Sequence, residues 1–381
     1  MKKFLDCISI VGATPSKFHG TKKYVSTGAV AATEIDESEV VEVTYEDRPS
    51  RANLSAEAGD ILFAKMQGTR KTLLLDSETE KNIYSTGFYA VRANPEVITT
   101  ECLYYLIDSE LFLAQKDKNC SGATQKAITN GGMAKIEISV PALSEQGILV
   151  DKLKHLTQLI ADKKKQLNLF DEIIKSRFIE MFGDPKTNPM KWDMVTIGDI
   201  ATDVRYGTSR PATEDGKYPY LRMNNLTYEG YLDLKDLKYI DIPDNEVEKC
   251  VVRYGDVLFN RTNSVELVGK TCVYDLDYDT IIAGYIIRVR IDDRILPIVF
   301  SNYLNSKVLK EQLRSMAKGA VNQANINAQE LKSIPIYLPP IDLQNEFVAF
   351  VEQTDKSKFE IQQSLEKLEI LKKSLMQQYF G

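Results

Sequence analysis

The sequence predicts an α+β chain organised as a pseudo-twofold internal repeat: two similar globular modules separated by two long helices packed as an antiparallel coiled coil. Three observations carry this prediction. Phe182-Gly183 in the middle of the chain returns as Phe380-Gly381 at its end, and ISVPALSEQ (138–146) returns as IYLPPIDLQ (336–344), both at a shift of 198 residues. Ahead of each Phe-Gly stands a long segment without proline and with apolar residues at helical spacing. A period of 20 to 50 residues would mean a solenoid, whereas one this long means two domain-sized copies. AGDILF (58–63) against YGDVLF (254–259), and SGATQKAI (121–128) against KGAVNQANI (318–326), extend the match upstream. The expected boundaries are 1–143 for the first module, 144–183 for the first helix, 184–341 for the second module and 342–381 for the second helix.

The helical segments read as heptad seams. Leu149, Leu153, Leu156, Ile160, Leu167, Phe170, Ile174 and Met181 follow 4-3 spacing, interrupted by Lys163 and Arg177. The second copy offers Phe347, Val351, Ile361, Leu365, Leu368, Leu375 and Tyr379, with Thr354, Lys358 and Lys372 as polar breaks. Each seam needs a partner, and the simplest is the other seam. Both segments follow proline, with Ser144 and Asp342 as expected N-caps, and both stop at a glycine suited to the left-handed C′ position. About 38 residues at 1.5 Å each make a helix of roughly 57 Å.

The remaining segments mix short strands, such as VLF (257–259), SIPIYL (333–338) and YIIRVRI (285–291), with a helical stretch at 296–317. Periodicity and turn pairs such as Gly-Asp and Asn-Ser mark them as compact α+β modules.

Composition narrows the function. Of 381 residues, 43% are hydrophobic and 27% charged, which is ordinary for a globular chain. MKKFLDCISIVG has a short apolar run broken by Asp6, and nothing approaches 18 uninterrupted apolar residues, so a cytoplasmic protein without a membrane span is expected. Five cysteines without a C-x-x-C are expected as free thiols, and with only His19 and His155 no histidine-based metal centre is expected. The net charge of −6 opposes a uniformly DNA-binding surface. The acids are bunched, however, from Glu34 to Asp47, while Arg48, Arg51, Lys65, Arg70 and Lys71 follow with only Glu57 and Asp60 among them.

Enzyme signatures are incomplete, so no catalytic residue is assigned. VELVGKT (265–271) ends like a phosphate-binding loop, but Ser264 stands where G-x-x-x-x-G-K-T needs its first glycine. PDNEVEKC (243–250) has valine where a nuclease-type pattern needs an acid, and LPPI (338–341) is not the amino-methyltransferase tetrapeptide. What the turns do contain is chemistry suited to reading DNA. RYGTSRPATEDGKYPYLRMNN (205–225) offers Arg205, Ser209, Arg210, Lys217, Arg222, Asn224 and Asn225 beside three tyrosines, and FNRTNS (259–264) adds Asn260, Arg261 and Asn263. In the first half FHGTKKYVSTG (18–28) gives His19, Lys22, Lys23 and Ser26, while FAKMQGTRK (63–71) gives Lys65, Arg70 and Lys71. Arginine grips guanine and asparagine adenine in bidentate fashion, and Lys, Ser and Thr hold phosphate.

The duplicated order of the G-D-x-L-F turns, the SGATQKAI and KGAVNQANI stretches, the P-x-L-S-E-Q and P-P-I-D-L-Q helix starts and the Phe-Gly stops resembles the specificity subunits of type I restriction-modification enzymes across the whole chain. The resemblance implies two target recognition domains, each reading one half of a split site in double-stranded DNA, with the helices as spacer. It also implies partners: two methyltransferase subunits carrying S-adenosylmethionine, and restriction subunits that use ATP and Mg. The chain itself would need no cofactor. The competing readings are an adenine methyltransferase, for which the cofactor motifs are missing, and a coiled-coil scaffold without a nucleic-acid role.

Overall fold

The computed structural model describes residues 1–317 and 324–381, so residues 318–323 of the KGAVNQANI stretch lie outside the described residues. The chain forms two compact units, Met1–Lys164 with Gln363–Gly381, and Lys165–Gln362. Each contains one module and one half of each long helix, α1 (Leu143–Phe182) and α2 (Ile341–Phe380).

The two modules repeat the same wiring. In the first, a four-stranded sheet runs in the spatial order Ile8–Val11, Phe88–Ala93, Ile61–Ala64, Thr72–Leu74. In the second, the order is Ala201–Tyr206, Ile286–Ile291, Val257–Asn260, Thr271–Val273. A second sheet in each module contains one parallel pair, Lys22–Val25 with Ile83–Ser85 and Tyr218–Leu221 with Thr280–Ile282. Short antiparallel ladders close both modules, Lys2–Lys3 on Glu137–Ile138 and Asp193–Thr196 on Pro335–Leu338. The strands expected at 257–259, 285–291 and 333–338 are present, and the segment 296–317 is two helices, Pro297–Asn305 and Lys307–Met316.

Three pairs of motif residues explain why these phrases recur. Gly59 and Gly255 turn at φ +86° and +87°, which a side chain would oppose. The following Asp60 and Asp256 are buried, accept from the backbone N–H of Glu57 and Arg253, and each takes an arginine of the neighbouring strand, Arg92 Nε or Arg290 Nε, at 2.7 Å. At the helix starts, Gln146 and Gln344 are fully buried. Gln146 accepts from Thr99 N and donates to the carbonyls of Val97 and Pro141; Gln344 accepts from Leu296 N and donates to those of Arg294 and Pro339. These amides tie each long helix to the helix that begins its module's final half, and they satisfy the backbone N–H of Thr99 and of Leu296.

Within each unit the two long helices run antiparallel. In the second unit Phe347 meets Phe178 and Phe182 edge-on at centroid distances of 5.6 and 5.3 Å, and Lys358 reaches Asp171 at 2.5 Å. In the first, Lys164 pairs with Glu369, while Leu149 and Leu153 share a core with Met376 and Phe380. Every expected seam residue is buried or half-buried, from Leu149 and Leu153 through Ile160, Leu167 and Phe170 to Leu368 and Leu375. Phe178, Phe182, Met376 and Phe380 complete the seam, and the heptad reading did not include them. The expected caps need correction: the helices begin at Leu143 and Ile341, so Ser144 and Asp342 lie inside the first turn. Gly183 ends α1 as expected, at φ +82° with its N–H on the Ile179 carbonyl.

Candidate nucleic-acid interface

The side chains singled out in the sequence divide by what already holds them. Several cations are neutralised locally. Lys23 pairs with Glu37 at 2.7 Å, Arg70 grips Asp108 through two bonds of 2.9 and 2.8 Å, and Arg205 bonds Asp203 at 2.7 Å. Arg210 holds Glu246 through two nitrogens, and Arg222 bonds both the side chain and the carbonyl of Asp236. The carboxylates of Glu246 and Asp236 sit below their usual pKa because of these arginine bonds. The exposed pairs among these are worth little to stability and can open to a phosphate at small cost, but Asp108 is buried, so freeing Arg70 would leave a buried carboxylate without its partner.

A second group is built into the loops. Asn225 is buried, accepting from Arg222 N and donating to the Asp233 carbonyl, which shapes the turn after Tyr218–Leu221. Asn260 is fully buried beside Asn263, whose Nδ2 donates to it at 3.1 Å, while Asn263 Oδ1 accepts from Ser264 N. Ser26 accepts from Ala29 N, and Lys71 donates to the Thr27 carbonyl. A base contact by Asn225 or Asn260 would require these loops to open.

The remaining candidates face solvent or rest on aromatic rings. His19, Ser209 and Asn224 are exposed. Lys22 lies over Phe18, Lys217 over Tyr218, Lys65 over Tyr89 and Arg261 over Tyr206, at 4.3 to 5.3 Å from the ring centroids. Burial pushes the Lys65 ammonium below the usual lysine pKa. The sequence offered no sign of these pairings for Lys65 and Arg261, whose rings come from other strands.

Away from these loops, the second unit holds a cavity of about 1120 Å³ lined by Phe178, Tyr231, Ile298, Lys310 and Asp355 among others. Tyr231 donates to Asp355, whose carboxyl is held above its usual pKa by burial. Lys310 is buried with its ammonium on the Gly269 carbonyl, and burial drives its pKa down to about 7.

Comparison with known proteins assigns this architecture. The family described as type I restriction modification DNA specificity domain matches residues 10–169 and 189–372. The specificity subunit of the type I restriction enzyme EcoKI from Escherichia coli (strain K12) is 24% identical over 283 residues, 70% of this chain and 61% of that protein. The putative MjaX specificity subunit of Methanocaldococcus jannaschii is 28% identical over 196 residues, 50% of this chain and 46% of that one. The StySPI specificity subunit of Salmonella potsdam is 24% identical over 352 residues, 84% and 74% of the two chains. The chain thus spans less than two thirds of the length of the first two relatives. Among solved structures, a chain from a type I restriction-modification system studied for complex assembly and conformational transition superposes with a TM-score of 0.57 at 21% identity, covering 98% of this chain and 97% of that one. A type I system S subunit from M. genitalium gives 0.55 at 13% identity, covering 100% and 95%. Both share the fold.

Proposed function

The chain belongs to the type I restriction-modification DNA specificity family, and on that premise we propose that it is the non-catalytic subunit that selects the DNA sequence for a type I restriction-modification complex. Residues 1–143 and 184–341 are the two target recognition domains, each reading one half of a split double-stranded site. Segments 144–183 and 342–381 are the spacer that fixes the distance between the halves and docks two methyltransferase subunits. S-adenosylmethionine, ATP and Mg belong to the methyltransferase and restriction partners, and the complex works in the cytoplasm.

The observation that carries this reading is one scaffold with two surfaces. Strand order, the Asp–arginine turns and the buried glutamines are common to both modules, whereas the loops on them differ residue by residue. A duplicated scaffold with divergent loops fits two different half-sites at a set spacing. Docking is supported by Leu159, Leu169, Ile173, Phe359, Ile370 and Leu371, large apolar side chains exposed on the long helices.

Methylome sequencing of the host with and without this gene tests the proposal. A split adenine-methylated motif should be present with the gene and vanish without it; an unchanged methylome would contradict the proposal.

A further inference from the structure

Lys65 and Arg261 stand at the same place in the two modules. Each follows the strand of its G-D-x-L-F phrase, Ile61–Ala64 or Val257–Asn260. Lys65 N donates to the Gly87 carbonyl at 2.9 Å and Arg261 N to that of Tyr285 at 3.0 Å. Their own carbonyls accept from Ile128 N and Ile326 N, residues that are themselves 198 apart, both at 2.9 Å. Backbone equivalence is therefore complete on both sides of the residue.

Each of the two side chains lies on a tyrosine, but the tyrosines are not equivalent. Lys65 Nζ is 4.3 Å from the ring centroid of Tyr89, and Arg261 Cζ is 4.9 Å from that of Tyr206. Tyr89 pairs with Phe63, and the residue pairing with the matching Phe259 is Ile287, which is buried. The second module instead takes its ring from the adjacent edge strand, where Tyr206 pairs with Ile287. Even the hydroxyls converge. Tyr89 donates to Asn130 Oδ1 at 2.7 Å, and Tyr206 accepts from Ala328 N at 2.8 Å; Asn130 and Ala328 are again 198 apart and open the same short helix. One module supplies this platform from its central strand and the other from its edge strand, so a cation on a ring is what the two share.

These cations also differ from most of their neighbours. Arg70, Arg205, Arg210 and Arg222 are bound to carboxylates. Among the described residues neither Lys65 nor Arg261 has a carboxylate partner; the Arg261 guanidinium donates to the Gly284 carbonyl, at 3.3 Å. A ring-held cation loses little conformational freedom on binding and has no local anion to exchange.

Building on the proposed DNA-specificity role, we infer that Lys65 and Arg261 are one base-reading position occurring twice, each presenting a tyrosine-supported cation to a guanine O6/N7 edge in its own half-site. Tyr89 and Tyr206 are positioning residues for them.

The test uses the complex assembled with its methyltransferase subunits, selecting from random DNA and then measuring affinity at several salt concentrations. Lys65→Ala should relax one base position in one half-site and Arg261→Ala one position in the other, each with roughly a ten- to hundredfold loss on the wild-type target. Tyr206→Leu should relax the same position as Arg261→Ala, and Arg261→Lys should restore part of the preference. Loss of affinity spread evenly over all sequences, relaxation of both halves by one substitution, or selection identical to wild type in folded variants would each overturn the inference while leaving the DNA-specificity reading intact. Wild-type complex that selected no split sequence would overturn that reading, and this inference with it.

Discussion

The first and second modules solve the same internal problems with the same atoms and present different surfaces. Asp60 and Asp256 receive Arg92 and Arg290 in matching geometry, and Gln146 and Gln344 repeat three hydrogen bonds each. In the loops, Arg210 holds Glu246 and Arg222 holds Asp236, while in the first module Lys23 holds Glu37 and Arg70 holds Asp108. The aspartates of the Gly-Asp turns and the glutamines of the helix starts, which close buried hydrogen bonds, recur, whereas the ion pairs of the loops have diverged. Buried polar atoms leave few alternatives, because a lost partner costs the full desolvation of the other. Polar side chains that face water have many.

The packing of the long helices allows the strongest test of that contrast. Phe347 is the counterpart of Leu149, and its ring fills the space between Phe178 and Phe182 where the other unit has Met376 and Phe380. Phe347→Ala should cost roughly 3 to 5 kcal/mol, while Phe347→Leu, which copies the other unit, should cost clearly less. Equal losses on denaturant unfolding would mean that the two seams are not interchangeable in kind.

The glutamine anchors should behave alike. Gln146→Ala and Gln344→Ala each strand a buried N–H and two carbonyls, so each should lose roughly 2 to 4 kcal/mol. A loss in one and none in the other would break the equivalence of the helix starts.

The buried lysines sharpen the comparison because they are matched in type and unequal in support. Lys116 donates to the carbonyls of Met66 and Thr69 and lies 3.1 Å from Asp117; Lys310 has the Gly269 carbonyl. Lys116→Met should therefore cost more, roughly 1 to 3 kcal/mol. The sign of the pH effect follows from the lowered pKa of Lys310, about 7 against an ordinary 10.5. Between these values the unfolded chain binds the proton that the folded chain releases, so stability rises with pH across that window and is lost as pH falls towards 7. Lys310→Met should flatten this rise, measured by thermal unfolding between pH 7 and 10; an unaltered slope would mean that the amine is not desolvated as its surroundings imply.

Smallest are the caps. Ser109 and Ser306 accept from Phe112 N and Leu309 N at equivalent helix starts, and alanine at either should cost about 1 kcal/mol. Values far apart would show that the equivalence stops at the backbone.

Much of this repeat was legible in the sequence because helical period, a terminal glycine and paired phrases are local signals. The seam from Leu149 to Ile174 and from Phe347 to Leu375 followed from spacing alone, but the helix starts were misplaced because Gln146 and Gln344, not Ser144 and Asp342, fix them. The Gly-Asp turns were visible as repeats without their reason, since Arg92 and Arg290 lie 32 and 34 residues away and only strand pairing brings them near. Among the loop residues, polarity could not separate Asn225 and Asn260, which face inward, from Asn224, which faces water. Nor could it show that Lys65 and Arg261 stand on tyrosines.

The central claim is that two modules read two half-sites independently. Exchanging residues 184–341 for the same region of a family relative, then sequencing the methylome of cells carrying the hybrid with its methyltransferase partner, tests it most directly. One half of the methylated motif should change while the other half keeps its sequence. A hybrid that assembles and methylates but rewrites both halves, or neither, would contradict it.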